Sequence, residues 1–490
     1  MSKQVSEKRG MSSKALIMVK DVSGVASLAK SLVGEFGFEL WGNEIACEAL
    51  TGLGVSIKLA KTSEAVAMIE NPAEAVRLVV ANFVDVESAG RAFMSWKSAL
   101  SAFDRGIVSS LRAAAWAVDR VAVIGNPSDY DAALQELSEN GGKFRQAFRM
   151  ERATAAFRAA SEFDFAVGQY LEVQGADKPD MGALSGYSKA LRFAWPRLQL
   201  LEHGENGHQL AALYGSFSEH FEQVCGPKLD YTSILSVSKA AYLIGEFEKP
   251  AAALLRNGKI VTAACGSDLA ELVAGVLKDE DARGSWLVAN GSLGESVISE
   301  AIESGVVGIL SPDLTDSERE LLSRTGKVSA LVSLTGLGYE ALQEIRSVAG
   351  GVLVQDKDRA PVNPMEWTPM SLAQPLVEDW ESLMFGAKVV RHADSEALAI
   401  VSGERLIWLA AGEVSTRRAW QVVEESGVGL DKTVAVFDSP EVDPKILPRM
   451  KEFGVRVALV TAGGDEQALR DAANSCGLVL LSAPKSWRKF

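Results

Sequence analysis

Short apolar, β-branched runs alternate with helix-like segments along almost the whole chain, and this alternation limits the fold more than any other feature. In the first part, strands are expected at Ala15–Val19, Leu78–Phe83 and Arg120–Gly125, with helix-like stretches such as Gly24–Glu35 and Asp131–Asn140 between them. A continuously apolar strand must be covered on both faces, so the pattern predicts an α/β fold with a parallel sheet between helices. Lys143–Tyr170 has apolar residues at helical spacing and few breakers, which predicts a long helix pair. The following LEVQGADKPDMGALSGYSK has no clear period, and a domain boundary is placed near Gly175–Gly186. Further on, Ala251–Leu255, Trp286–Ala289, Val306–Leu310, Val328–Leu334 and Val352–Gln355 read as buried strands. After the Pro-rich RAPVNPMEWTPM the pattern resumes at Ala397–Val401, Leu406–Ala411, Thr433–Asp438, Val455–Thr461 and Leu478–Ser482. Two such blocks in succession fit an internal duplication, although the letters show no strong repeat.

Composition narrows the function classes. A chain of 490 residues has room for two or three domains. No apolar run approaches the ~18–20 residues that span a bilayer. The opening MSKQVSEKRGMSSK lacks the apolar core of a signal peptide, and residues 1–13 are expected to be a disordered tail. Cys47, Cys225, Cys265 and Cys476 show no paired spacing, which argues for a reducing cytoplasm over a disulfide framework or zinc site. A net charge of −14 disfavours nucleic acid and anionic membrane as partners. An anionic small ligand stays open, because phosphate sites rest on a few local amides and cations. With only His203, His208, His220 and His392, a multi-histidine metal site is not expected.

Leu201–Gln209, LEHGENGHQ, resembles the RYGENxHQ element that opens the transformylase half of the bifunctional purine biosynthesis proteins, with Glu202-His203 in place of Arg-Tyr. Those enzymes formylate the ribotide of aminoimidazole carboxamide and close the ring to inosinate. Further matches keep the family's order. KALIMVKDVSGVASLAKSL is similar to its first strand and helix, RVAVIGNPSDYDAALQEL to VAIVxxxxDYxxxxxEL, and CGPKLDYTSILSVSKAA to GKxLSYNNxxDxDAA. GGVLVQDKD is similar to GGxLxQDxD, and VTAGGDEQALRDAANSCGLVLL to the family's final segment. The resemblance implies a methylglyoxal-synthase-like Rossmann-type domain, with the cyclohydrolase step, over residues 14–185. It implies two cytidine-deaminase-like α/β units over 193–360 and 361–490. It also implies homodimers with transformylase sites between subunits.

Ring closure needs a phosphate cradle and groups that polarise the formyl carbonyl and move a proton. The family's STGGT cradle is matched by Gly42-Asn43-Glu44-Ile45-Ala46, where Glu44 adds negative charge and Ile45 bulk. Its cationic KTLHPKxHGG loop has no counterpart between Leu59 and Leu78, and NLYPF is reduced to Asn82-Phe83-Val84-Asp85. Trp116 stands where a catalytic lysine would fall, and Asp104 reads as a helix-start carboxylate. The cyclohydrolase site is therefore expected to be inactive.

Formyl transfer needs a base for a weakly nucleophilic amine and a donor for the oxyanion. The family's Lys-His pair in KHxNPCG is replaced by Arg256-Asn257, and an asparagine amide does not titrate near neutrality. SNA becomes Ser395-Glu396-Ala397, GAGQMSR becomes Ala410–Thr416 with Glu413, and SDAFFPF becomes Phe437-Asp438-Ser439-Pro440. The terminal RHFxH is reduced to Ser486–Phe490. Glu202, Glu396 and Glu413 each make the pocket more negative, against a phosphate and a polyglutamated folate. The surviving candidates are His208 and Lys228 for catalysis. Gly204, Glu205, Asn206, Gln209, Tyr231, Asp356, Asp358 and Arg256 are the candidates for substrate binding. His208 could serve as a base, since imidazole titrates in the useful range, or could hold the turn through its backbone. Lys228, Tyr231, Asp356 and Asp358 have structural readings too: a snorkelled amine, a tied core phenol and helix-capping carboxylates.

Two readings follow. The first is a divergent, catalytically impaired relative kept for purine ribonucleotide binding or for assembly as a homodimer or a heterodimer with a paralogue. The second is an active formyltransferase with a site rearranged around His208, Lys228 and Arg256. That reading requires 10-formyltetrahydrofolate as cosubstrate, with no covalently bound cofactor. A different reaction in the same cleft is a third possibility, because fold does not fix chemistry.

Overall fold

In a computed structural model, residues 12–84, 86, 95–174, 187, 189–337 and 343–487 are described. The boundary stretch 175–186 and most of the tail lie outside them. The chain divides into Met1–Ala194 and Trp195–Phe490.

The first unit runs β1 (Lys14–Val19), α1 (Val25–Gly34), β2 (Glu39–Gly42), α2 (Glu44–Thr51), β3 (Ile57–Leu59), α3 (Thr62–Glu70) and β4 (Val76–Asn82). It continues with α4 (Trp96–Ala102), α5 (Arg105–Trp116), β5 (Ala122–Ile124), α6 (Tyr130–Glu139) and α7 (Gln146–Gln174). Its five strands are all parallel, in the order β3-β2-β1-β4-β5. β1 and β4 are apolar almost throughout because both their faces are covered. Leu28, Ala46 and Ala133 bring α1, α2 and α6 onto one face. Ile69, Leu111 and Ala156 bring α3, α5 and α7 onto the other. The order reverses between β1 and β4, the crevice where doubly wound sheets hold ligands. The helix pair expected over Lys143–Tyr170 is instead the single 29-residue helix α7, since no glycine or proline interrupts it before Gly168.

The second unit opens with a hairpin, β6 (Arg197–Leu201) and β7 (Ala211–Tyr214), then α8 (Phe217–His220), β8 (Phe221–Cys225) and α9 (Tyr231–Gly245). A block follows of β9 (Ala251–Arg256), β10 (Lys259–Cys265), α10 (Leu269–Val276), β11 (Trp286–Ala289), α11 (Glu295–Glu303), β12 (Gly308–Ser311), α12 (Asp316–Thr325) and β13 (Ser329–Ser333). A second hairpin, β14 (Gln343–Val348) and β15 (Gly351–Asp356), and the short β16 (Thr368–Pro369) lead to α13 (Val377–Arg391). The last block is β17 (Leu398–Ser402), β18 (Arg405–Ala410), α14 (Thr416–Glu425), β19 (Val434–Phe437), α15 (Ile446–Glu452), β20 (Val457–Thr461), α16 (Glu466–Cys476) and β21 (Val479–Ala483).

One 12-stranded sheet carries both blocks, in the order β16-β21-β20-β19-β17-β18-β10-β9-β11-β12-β13-β8. The order reads the same from either end. Each block contributes an antiparallel hairpin at the centre, three parallel strands beyond it and an antiparallel edge strand. The duplication is thus visible in topology though not in letters. The parallel sheet expected of the first part is found there, whereas this sheet is mixed, because the hairpins β9–β10 and β17–β18 and both edges are antiparallel. Val237, Leu243, Phe385 and Val389 pack α9 and α13 against one face in a single core. On the other face α10–α12 and α14–α16 cover their own blocks, through Val273, Ile298 and Leu322, and Trp420, Leu447 and Leu469. Val352–Gln355 is not a buried strand. It lies in the β14–β15 hairpin, where Val352 and Leu353 are exposed.

Candidate functional site

The GENGHQ turn caps the β6–β7 hairpin and is closed by its own groups. The Gly204 amide donates to the Gln209 carbonyl at 3.0 Å, and the Gln209 amide to the Asn206 carbonyl at 3.0 Å. The Asn206 amide donates to Gln209 Oε1 at 2.9 Å. Gly204 is buried, and a Cβ there would lie 3.0 Å from Gln209 Oε1, which is why a glycine stands at this position. His203 Nδ1 lies 2.8 Å from the Gly204 carbonyl. Glu205 and His208 are exposed. The backbone-holding role expected of His208 therefore falls to His203 and Gln209.

Asp230 caps α9, accepting from the Ser233 amide at 2.7 Å and the Thr232 hydroxyl at 3.1 Å. Burial pushes its carboxyl up, but the Ser233 and Thr232 hydrogen bonds and nearby His203 outweigh this and hold it below the usual carboxylate range. Tyr231, the first residue of α9, is half-buried against the core, and Lys228 is exposed in the preceding loop.

Arg256 ends β9 and Asn257 follows it. Arg256 pairs with Lys259 across the hairpin, so the turn is Asn257-Gly258 alone. Asn257 has φ 52° and Gly258 φ 72°, the left-handed pair that a tight two-residue hairpin requires. The Gly258 amide donates to Ser236 Oγ at 2.9 Å, fixing the turn to α9. Arg256 Nη1 lies 3.3 Å from Asp281 Oδ1. Asparagine at 257 is thus explained by conformation. The Lys-His pair implied by resemblance is replaced by a residue that suits the turn and cannot take a proton.

Asp356 ends β15 on the exposed hairpin. Asp358 accepts from the Ala360 amide at 3.1 Å and lies 3.6 Å from Arg391 Nε. It therefore closes a turn and joins an ion cluster rather than capping a helix. Among the described contacts, none links His208, Lys228 and Arg256, which sit in the β6–β7 turn, the loop before α9 and the last position of β9.

A crevice in the last block does bring sequence-distant positions together. The Glu396 and Glu413 backbones exchange hydrogen bonds at 3.3 and 3.2 Å. Ser439 Oγ donates to Glu396 Oε1 at 3.1 Å, and buried Asp438 accepts the Ala397 amide at 2.8 Å. Burial pushes the Glu396 carboxyl above its ordinary range, and Asp438 and Glu441 add to this. The Ser439 hydroxyl and the Thr416 amide offset it in part. Thr416 is the first residue of α14, capped by Ser415. A helix N-terminus attracts anions, and here the chain's own carboxylate stands beside it.

In the first unit, the cradle-like stretch is filled by Asn43. Its Oδ1 accepts the Ala46 amide at 3.1 Å and its Nδ2 donates to the Val19 carbonyl at 2.8 Å. Gly42 has no room for a side chain, since a Cβ would lie 2.8 Å from the Ile17 carbonyl oxygen. Asp104 caps α5 through the Gly106 and Ile107 amides, both at 3.1 Å, and lies 3.5 Å from Lys20 Nζ. That is the helix-start role read from the sequence. Trp116 is exposed and packs edge-on against Phe157.

Sequence reading missed one polar cluster. Glu246, just past α9, accepts from Arg391 Nη1 at 3.0 and 3.2 Å and lies 2.9 Å from His392 Nε2. Lys388 donates to the Glu246 carbonyl at 2.7 Å. No local signal could reveal this, because the partners are 142–146 positions apart.

A doubly wound parallel unit followed by a mixed-sheet unit of two topologically similar blocks defines a two-unit α/β protein. Residues 114–424 match the family model described as AICARFT/IMPCHase bienzyme. The bifunctional purine biosynthesis protein PurH of Microcystis aeruginosa is 25% identical over 510 residues, covering 95% of this chain and 98% of its own. PurH of Chloroflexus aurantiacus is 30% identical over 374 residues, 74% of this chain and 70% of its own. The chain belongs to the AICARFT/IMPCHase bienzyme family. Among solved structures, the crystal structure of ForH aligns with 34% of this chain and 99% of its own at 20% identity and a TM-score of 0.28, too partial a match to define a fold.

Proposed function

We propose that this chain is a divergent relative of the purine-forming bienzymes that does not run either reaction, and that it is kept for purine ribonucleotide binding or for assembly. The observation that carries the reading is Asn257. Where formyl transfer requires a base, the chain has an asparagine whose left-handed backbone serves a two-residue turn. Glu396 supports it, since a carboxylate beside the α14 N-terminus repels the anions a ribotide and a folate would bring. In the first unit, Asn43 and Asp104 spend their polar atoms on capping helices. We read that unit as methylglyoxal-synthase-like and the two blocks of the second as cytidine-deaminase-like, as the family resemblance implies.

Assembly as a homodimer, or with a paralogue, is supported by the hairpins β6–β7 and β14–β15, which join neither large sheet. An isolated two-stranded hairpin is marginal in water, and these two expose Leu198, Leu200, Leu210 and Leu353. A cytoplasmic setting agrees with four free cysteines and with the absence, among the described residues, of a helix long and apolar enough to cross a membrane.

The test is direct. The full chain, incubated with the ribotide and 10-formyltetrahydrofolate, is expected to show no folate turnover above buffer. Turnover lost on His208→Ala would replace this reading with the active, rearranged formyltransferase. Thermal shift with ribotide, inosinate and xanthylate tests the binding version, which expects at least one of them to raise the melting temperature by an amount set by mass action. No shift with any of them would remove nucleotide binding and leave assembly alone.

A further inference from the structure

The sequence holds four Asn-Gly pairs, beginning at Asn140, Asn206, Asn257 and Asn290, and the fold treats them differently. In such a pair the glycine nitrogen can attack the asparagine side-chain amide, because glycine has no Cβ to shield it. Attack needs a side chain free to swing onto the following nitrogen, and a nitrogen free to give up its proton. Three of the pairs fail one condition or the other. Asn290 is held at both ends of its amide. Its Oδ1 accepts the Ala251 amide at 2.8 Å, and its Nδ2 donates to the Phe247 and Lys249 carbonyls at 3.1 and 2.8 Å. Asn140 Nδ2 donates to the Glu136 carbonyl at 2.8 Å, back along α6. Asn257 is exposed, but the nitrogen that would attack it is tied, since the Gly258 amide donates at 2.9 Å to Ser236, a buried residue of α9.

Asn206 meets both conditions. Residues 205–210 are all exposed at the tip of the β6–β7 hairpin. The Asn206 side chain makes one described contact, Nδ2 to Gln209 Oε1 at 3.4 Å, beyond the ordinary range for such a bond. Among the described contacts none uses the Gly207 amide. Beyond its two neighbours in the chain, no heavy atom lies within 4 Å of a Cβ built on Gly207.

We infer that Asn206 is a modification site, where the chain itself converts one asparagine of the GENGHQ turn to aspartate or isoaspartate. The Gly207 nitrogen loses its proton and bonds to Asn206 Cγ, the Cγ–Nδ2 bond breaks, and ammonia leaves a succinimide behind. Water then opens the ring at either carbonyl. Overall, one amide and one water become one carboxylate and one ammonium ion. The new carboxylate joins Glu202 and Glu205 in a chain whose net charge is already −14. The isoaspartyl product also routes the main chain through the former side chain. That adds a carbon inside the loop that the Gln209 amide closes on the Asn206 carbonyl at 3.0 Å. The turn therefore opens one way, with the age of the molecule. The site is independent of both functional readings, which stand or fall without it.

The experiment incubates the full chain at mildly alkaline pH in heavy-oxygen water and follows each Asn-Gly peptide by mass spectrometry. A hydrogen bond that must break first slows attack by up to about tenfold. Asn206 is accordingly expected to convert about tenfold faster than Asn140 and Asn257, and faster still than Asn290. In urea the four rates are expected to converge to within a few-fold. Gly207→Ala, whose Cβ meets open space, is expected to slow Asn206 several-fold with the melting temperature unchanged. Ser236→Ala is expected to free the Gly258 nitrogen and speed Asn257 several-fold, leaving Asn206 as it was. Hydrogen exchange in the aged chain is expected to rise over β6 and β7 alone. Conversion at Asn206 no faster than at the other three, or the same order of rates in urea as in the folded chain, would overturn the proposal. An unchanged Asn257 rate in Ser236→Ala would overturn the role given to the tied nitrogen, and unchanged exchange in the aged chain would overturn the opening of the turn.

Discussion

Removing the Glu246 carboxylate should loosen the second unit specifically where its two blocks meet. The side chain of Glu246 is 19% exposed and that of Arg391 6%, so their charges meet largely out of water. Deleting one partner of a buried pair costs about 3–5 kcal/mol, mostly because the other charge is left behind. Arg391 keeps the Ala360 carbonyl and Asp358 as partners, which places Glu246→Ala at the lower end, about 3 kcal/mol. For a unit approaching 300 residues, each kcal/mol moves Tm by roughly 2 °C, so a loss of about 6 °C is expected. Burial pushes the Glu246 carboxyl up, but His392 and Arg391 outweigh this and hold it below its ordinary range. A depressed carboxylate contributes stability that is present above the unfolded pKa and lost as pH falls through the folded one. The gap between wild type and Glu246→Gln should therefore be full at pH 7 and close progressively below the ordinary carboxylate range. Hydrogen exchange would localise the effect, with faster exchange over α9 and α13 and no change over α6 in the first unit. A Glu246→Ala chain melting within 1 °C of wild type, or a gap that widens as pH falls below the ordinary carboxylate range, would refute the reasoning.

Three further outcomes are expected. Glu396 has a raised carboxyl, so its charge weakens the folded state as pH rises from the ordinary carboxylate range through its folded pKa. Glu396→Gln should accordingly melt higher than wild type at pH 7 and equal to it near pH 4, and the reverse trend would contradict the burial described. Asn257→Ala should cost about 1 kcal/mol while Asn257→Gly stays near neutral, because φ 52° penalises a Cβ without a local hydrogen-bonding group; urea denaturation measures both. Asn82→Ala should cost about 1–2 kcal/mol, since Asn82 Oδ1 accepts the Lys20 and Asp21 amides at 2.9 Å, and of the two only Lys20 keeps a second described acceptor, the Asn82 backbone carbonyl at 3.2 Å.

Much of the fold was legible because its central strands carry their signal locally. Leu398–Ser402 and Val457–Thr461 are apolar runs bounded by turns, and their position in the sheet follows from burial on both faces. Short or edge strands were not legible. Ile57–Leu59 has three residues and one neighbour strand, and Phe221–Cys225 alternates too weakly to stand out from loop. The Lys259–Cys265 strand was obscured because its turn was weighed against a catalytic motif, when Asn257-Gly258 is itself a hairpin signal. The candidate site was legible as letters and illegible as geometry. Glu396, Glu413 and Ser439 were each noted as substitutions, but only the sheet brings them to one crevice.

The retained and replaced residues differ in what the fold asks of them. Gly204, Asn206 and Gln209 close a turn among themselves, and Asp358 closes a turn beside Arg391. Each has a conformational task that persists whether or not a ligand binds. The departures implied by resemblance fall where a side chain would serve only chemistry: a base at 257, an amide at 396, a lysine at 116. At 257 the replacement even improves the local fit, because asparagine tolerates the left-handed backbone better than histidine in a tight turn. Position 396 runs the other way, with a carboxylate that burial and two like charges disfavour. A substitution that weakens the fold there is not accounted for by drift toward stability. The Glu396→Gln melting curve therefore separates the two cases, since a gain at pH 7 would show that this carboxylate is held against the interest of the fold.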